Sequence, residues 1–308
     1  MTARLKTLLR RIVNRIAAPY VESLETRLSW LSTDLGAARE ELSGARNDLA
    51  RAIAALRAVH DEEPDNRRRL HAMRRDPSYE QAYREREPLV SFVIPTYDSF
   101  ETLTEVCVPS ILGQSYPNLE VIVIGDGAPH ETATAIAEID DPRITYFNRT
   151  YRGPYPAAGH QRWLVSGTPA YNEGVFRARG RWIAPMDDDD AVRPEHTQAL
   201  IEAAQRHGYE LCYGRQAIHF EDGAVLELGE FPPRYGAFGL QSALYHSGLR
   251  FIGQELVDAV FGEPNDWSLC RRMLRIGVYA GMIDQVVVDK NENKSSLPDY
   301  LHQRAIQP

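Results

Sequence analysis

The sequence predicts an α/β fold with a mostly parallel central sheet, preceded by an amphipathic helix and a coiled coil. Three observations lead there. Short apolar strands such as LVSFVIP (residues 89–95) and LEVIVIG (residues 119–125) alternate with helical patterns from residue 89 onward, as in a parallel sheet covered on both faces. Twelve apolar or alanine positions from Val21 to Val59 alternate spacings of three and four, the mark of a coiled-coil seam. Four consecutive aspartates, Asp187 to Asp190, follow the strand-like RWIAPM.

Residues 1–18 place Leu5, Leu8, Leu9, Ile12, Val13 and Ile16 on one helical face, and every charged side chain among them is positive. That pattern suits a helix lying on an anionic membrane surface, or one docked on its own domain or a partner chain. Pro19 is expected to break the helix. The heptads that follow predict a homo-oligomer, although Gly36 and Gly44 each cost ~1 kcal/mol of helix propensity. Together these make an amino-terminal segment of residues 1–63. The polar, proline-bearing stretch beginning DEEPDNRRR predicts a linker over residues 64–88.

The α/β domain opens at residue 89. After its first strand come a helix near residues 101–112, the strand LEVIVIG, a helix near 132–138 and the strand RITYF. Such sheets bind ligands at the carboxyl ends of their strands, where Thr96 to Asp98 and Asp126 fall. We divide the domain into a nucleotide-binding half, residues 89–213, and an acceptor-binding half with the tail, residues 214–308.

Charge is uneven: residues 1–75 hold 15 Arg/Lys against 10 Asp/Glu, and the remainder 20 against 33. The acidic remainder offers nothing to neutralise a phosphate backbone, so no nucleic-acid partner is expected. Apolar runs such as Val121–Ile124 are too short to cross a bilayer. Arg10, Arg11 and Arg15 interrupt the apolar start, so no secretory signal is expected. Three scattered cysteines read as reduced thiols. These features predict a cytoplasmic location, peripheral at the inner membrane face if the basic helix docks there.

Four adjacent carboxylates repel one another unless a cation neutralises them. Oxygen-only ligands suit a hard divalent ion, Mg²⁺ or Mn²⁺. Such an ion stabilises the charge that develops on a diphosphate as its bond to a sugar breaks.

At this point the chain resembles the family 2 glycosyltransferases of the GT-A fold, over roughly residues 89–290. SFVIPTYDSF resembles the opening strand and loop, with Asp98 where Asn is commoner. SILGQSYPNLEVIVIGDGAP resembles the second block, with Gly125-Asp126 for the usual aspartate pair. DDPRITYF matches the third strand, and MDDDDAVRP resembles the metal-binding DXD motif followed by a proline. The resemblance implies a nucleotide-sugar donor, a glycan, glycolipid or protein acceptor, and inversion at the transferred sugar. It also implies donor contacts from Thr96, Asp98, Asp126, Asn172 and Asp187, with Asp187 and Asp189 holding the metal.

The general base implied by the resemblance is Asp266, in Asn265-Asp266-Trp267 before the helix SLCRRMLRIG. The alternative for Asp266 is an ordinary helix N-cap, and for Asp126 a turn residue beside Gly127. Trp267 is either a sugar platform or core. The family's Ala-Arg-Asn reads Ala170-Tyr171-Asn172 here, so the pyrophosphate contact is left to Arg149, Arg152, Arg162 or none. His246, near the acceptor side, reads as structural. A competing reading is a non-catalytic nucleotide-binding scaffold built on the coil. An oxidoreductase would need a glycine-rich turn that PTYDSF lacks, and an aspartate-rich prenyl-chain site would lie in a helix.

Overall fold

The computed structural model describes residues 3–61, 64–157, 159–220 and 222–291. The chain divides into two units, one up to Ala58 and one from Val59.

In the first unit the heptad pattern folds as expected, into one long helix, α1 (Ala3–Asp61). The expected break at Pro19 does not occur. Proline removes one N–H from the ladder, and a long helix can carry that local loss without ending. The apolar side chains expected on its first face, Leu5, Leu8, Leu9, Ile12, Val13 and Ile16, lie outside the described side chains.

The expected linker is also corrected. Residues 64–88 carry α2 (Pro64–Met73) and α3 (Gln81–Arg84), and Leu70 and Ala82 are fully buried. Arg74 reaches Glu210 at 2.6 Å and the carbonyl of Gly277 at 2.7 Å. The polar composition that suggested a spacer is the outer face of a helix anchored by a few inward residues.

The main sheet begins with β1 (Val90–Thr96), followed by α4 (Phe100–Thr102), a π turn (Leu103–Cys107) and α5 (Val108–Leu112). Then come β2 (Leu119–Gly125), α6 (His130–Ile139), β3 (Ile144–Asn148), α7 (Gly159–Leu164), α8 (Thr168–Arg177) and β4 (Trp182–Pro185). The second half adds β5 (Ala191–Val192), α9 (His196–His207), β6 (Leu211–His219), β7 (Val225–Leu228), β8 (Ala243–His246), α10 (Asp258–Phe261), α11 (Asn265–Ile276) and β9 (Ala280–Asn291).

The strands run in the order β3-β2-β1-β4-β8-β6-β9-β5, with β7 beside β6. β3, β2, β1 and β4 are parallel throughout, as is β6 with β9. Antiparallel pairs join β8 to both neighbours, β7 to β6 and β5 to β9.

Strand alternation explains why both faces are covered. Phe92, Ile94, Val121 and Val123 enter one core with residues of α5 and α9. Val93, Ile122 and Ile124 enter the other with residues of α2, α8 and α11. A strand apolar on both faces needs helices on both, and every residue of β2 is buried.

Candidate active site

The carboxyl ends of β1, β2 and β4 open into a cavity of about 390 Å³. Thr96 to Ser99 line it from the end of β1, Asp126 from β2, and Asp187 to Asp189 from β4. Gln241, Gln254, Asn265, Asp266 and Trp267 also line it, and β9 contributes Lys290.

The four aspartates divide their work. Asp187, Asp189 and Asp190 each bring a carboxylate oxygen within 4.8 Å of the others. Asp188 turns away and accepts a hydrogen bond from Thr96 Oγ1 at 2.7 Å. Burial pushes the Asp188 carboxyl up to about 7, with Asp189 and Asp187 adding to the rise. Asp190 is fully buried and is likewise raised to about 7 by burial, against the pull of Lys290. Among the described residues, Asp190 Oδ1 is buried with no hydrogen-bond partner. An all-oxygen cluster with an orphaned buried oxygen fits a hard divalent cation. The sequence pointed to Asp187 and Asp189; the structure adds Asp190 to them.

Sequence reasoning missed Lys290. Its ammonium lies 2.8 Å from Asp190 and 3.2 Å from Asp187. Burial works against that charge, but Asp190 and Asp187 outweigh it and hold the ammonium above its ordinary range. The available signal was the quartet itself: so much negative charge in one place calls for a protein cation as well as a metal. Gln241, also missed, donates its amide to Asp187.

Asp266 lines the cavity one residue inside the start of α11, which is capped by Pro264. It is therefore not the N-cap. Its Oδ1 accepts from the Trp267 N–H at 2.6 Å. Burial raises its carboxyl to about 6, and the charge of Asp187 adds to that. Asn265 anchors the helix start, donating to Ser166 O, Thr168 Oγ1 and Gln254 Oε1 at 2.9–3.1 Å. Trp267 packs against the core, and it also lines the cavity.

On the donor side, Asp98 is exposed at the cavity rim. Asp126 is buried, and its carboxylate already accepts from Arg149, Tyr155 and the Gly153 N–H. A Cβ at Gly125 would stand 2.5 Å from Asn148 Oδ1. Asn148 is itself bonded to both backbone atoms of Ala128, so no second aspartate fits there.

Asn172 is a correction. It lies outside this cavity, and its amide clasps the backbone of Gln254, accepting at 2.9 Å and donating at 2.8 Å. Its polar atoms are spent holding a wall residue, so it acts on the cavity from behind. Of the three arginines left open, Arg149 is paired with Asp126 and Arg162 with the carbonyls of Pro156 and Ala157. Arg152 is the one that lines the cavity, its guanidinium 3.5 Å over the Tyr97 ring. His246 is likewise corrected in position: it is buried against Tyr79, Tyr83 and Trp182, away from the cavity, in a structural role.

A parallel α/β half, an acidic cluster at its carboxyl edge and a mixed-strand second half closing the cavity define a GT-A-fold glycosyltransferase. The family model of glycosyl transferase family 2 matches residues 91–256, and the chain belongs to that family. It is 33% identical over 143 residues to the succinoglycan biosynthesis protein ExoO of Rhizobium meliloti, covering 46% of this chain and 37% of that one. It is 30% identical over 138 residues to a GalNAc(5)-diNAcBac-PP-undecaprenol beta-1,3-glucosyltransferase of Campylobacter jejuni, covering 44% and 40%. The matches thus span less than half the length of these relatives. Among solved structures, S. aureus TarS 1-349 in complex with UDP-GlcNAc shares the fold, with a TM-score of 0.52 at 14% identity over 66% of this chain and 58% of that one.

Proposed function

We propose that this chain transfers a sugar, with inversion, from a nucleoside-diphosphate sugar to an acceptor hydroxyl. The observation that supports the reading best is that Asp187 and Asp189 share one cavity with the half-buried carboxyl of Asp266. Asp266 would take the acceptor's proton as its oxygen bonds to the anomeric carbon, while the bond to the diphosphate breaks and the diphosphate leaves with the electron pair. Thr96, Asp98 and Asp126 would border the nucleoside. Asp126, with its acceptors engaged, would act through Arg149 and the loop it holds. Arg152 lies where it could meet a phosphate. A Mg²⁺ or Mn²⁺ ion on Asp187, Asp189 and Asp190 would neutralise charge on the departing diphosphate.

The relatives' names favour an acceptor glycan, and that of the Campylobacter protein a glycan carried on a polyprenyl diphosphate; we extend a glycolipid acceptor to this chain. No helix among the described residues is long and apolar enough to cross a membrane. From the all-positive charge of residues 1–18 beside their apolar face, we assign the amino-terminal basic segment to docking on an anionic membrane surface at its cytoplasmic side, and the heptads of α1 to self-association.

A panel of nucleotide sugars tested for Mn²⁺- or Mg²⁺-dependent thermal stabilisation identifies the donor, since a bound ligand raises apparent stability by mass action. The stabilising donor should then be turned over in the presence of membrane-extracted glycolipid. Stabilisation without hydrolysis or transfer under any acceptor would favour the nucleotide-binding scaffold instead.

A further inference from the structure

We infer that α1 binds a second copy of this chain as a parallel, in-register, two-stranded coiled coil; this rests on the self-association assigned above and adds its partner geometry. In heptad terms Val21, Leu28, Leu35, Leu42, Leu49 and Leu56 occupy a positions, and Leu24, Leu31, Ala38, Ala45 and Ala52 occupy d positions. In the single chain, Val21 and the leucines of this seam are 50–70% exposed. Gly36 and Gly44 fall on the outer b and c positions, with nothing within 4 Å of an added Cβ. They weaken the helix without interrupting the seam.

The occupant is selected by charge. Position g carries Arg27, Asp34, Glu41 and Asp48, and position e carries Glu25, Arg39 and Arg46. In a parallel pair each g residue faces the partner's e residue five positions on. Asp34 then meets Arg39 and Glu41 meets Arg46, twice each by symmetry, with no like-charge pair among them. In an antiparallel pair g faces g and e faces e; with Leu42 opposite Ala45, Glu41 then meets Asp48 and Arg39 meets Arg46. Leucine at a against alanine at d would otherwise suit antiparallel packing, which evens out the layers. The charges decide against it.

Strand number follows from Ala38, Ala45 and Ala52. Three alanines around a threefold axis leave an unfilled channel, whereas two let the backbones close together. The catalytic bodies of the two chains then continue from the same end of the coil.

The test uses the full chain with single substitutions Leu31→Cys and Leu56→Cys, the native cysteines being buried. Light scattering should give twice the chain mass. Under mild oxidation each variant alone should form an interchain disulfide, because identical positions face each other. In an antiparallel pair with Leu42 opposite Ala45, identical positions would lie roughly 37 Å apart at 1.5 Å per residue, far beyond disulfide reach. Only the mixture of the two variants would then cross-link, which would overturn the orientation. A monomer mass would overturn the self-association itself, and a threefold mass the two-stranded assignment, both without touching sugar transfer. Independently, Asp34→Arg with Glu41→Arg should weaken the dimer by about tenfold or more. Mixing that variant with Arg39→Glu/Arg46→Glu should restore it; failure to do so while both remain helical would also overturn the orientation.

Discussion

Asp266 and Lys290 bring opposite charges into one cavity, and each makes a prediction that a single substitution reads. Asp266→Asn keeps the side chain's size and can still accept from the Trp267 N–H. Folding and donor affinity should therefore survive, while transfer falls by roughly 10²- to 10⁴-fold. A base must be deprotonated to work. In the wild type, log kcat/KM should therefore fall with unit slope on the acid side of about pH 6, the value to which burial raises this carboxyl. A cation on Asp187 removes part of that upward push, so the limb should move to lower pH as metal saturates. The Asp266→Asn variant should lose the limb. If it transfers sugar at the native rate, Glu263 and His246 come next, although Glu263 is ion-paired to Arg271 and His246 is buried elsewhere.

Lys290→Met removes the cation from a buried carboxylate. Leaving Asp190 unpaired should cost of the order of 3 kcal/mol without metal. Because a divalent ion can replace the missing charge, Mn²⁺ should raise the melting temperature of the variant more than that of the wild type. Equal Mn²⁺ shifts in both would mean that metal and lysine do not share the aspartates.

Among the elements, α11 carries Asp266 and α2 packs into the core on which α11 rests. α2 was expected as part of a linker, yet Leu70 is fully buried in the core face that also holds Leu269 and Met273 of α11. Leu70→Ala should destabilise the catalytic body by about 2–5 kcal/mol, measurable as a shift in denaturant midpoint. A true linker residue would tolerate the change within about 0.5 kcal/mol. Arg74 contributes from the same segment. Burial alone would raise Glu210, but the hydrogen bonds from Arg74 and the Tyr279 N–H outweigh it and hold the carboxyl below its ordinary range. That linked group ties the start of β6 to the approach to β9, the strand that delivers Lys290.

For the whole molecule, the division near residue 58 predicts that the two units separate cleanly. A chain lacking residues 1–58 should keep the melting behaviour and cation response of the catalytic body. It should lose self-association in light scattering and binding to vesicles rich in anionic lipid. Loss of folding on truncation would mean that α1 is part of the catalytic body; unchanged vesicle binding would move the membrane contact elsewhere.

What the sequence determined by itself was local. Strand period and apolar runs marked β1, β2 and β3, the three-four spacing marked α1, and an unbroken aspartate run after a buried strand marked the acidic cluster. Each signal lies within a few residues of chain, where side-chain direction follows directly from helix or strand geometry. The structure decided the pairings between distant segments. Lys290 meets Asp190 across 100 residues, and Asn172 meets Gln254 across 82, which takes Asn172 out of the donor site. Arg152 was singled out from its neighbours by which arginines had already found partners, and Asp126 was found engaged for the same reason. Such choices depend on strand order and register, which no local period encodes. A buried polar atom takes whichever partner the fold brings near, because leaving it alone costs more than the choice of partner does.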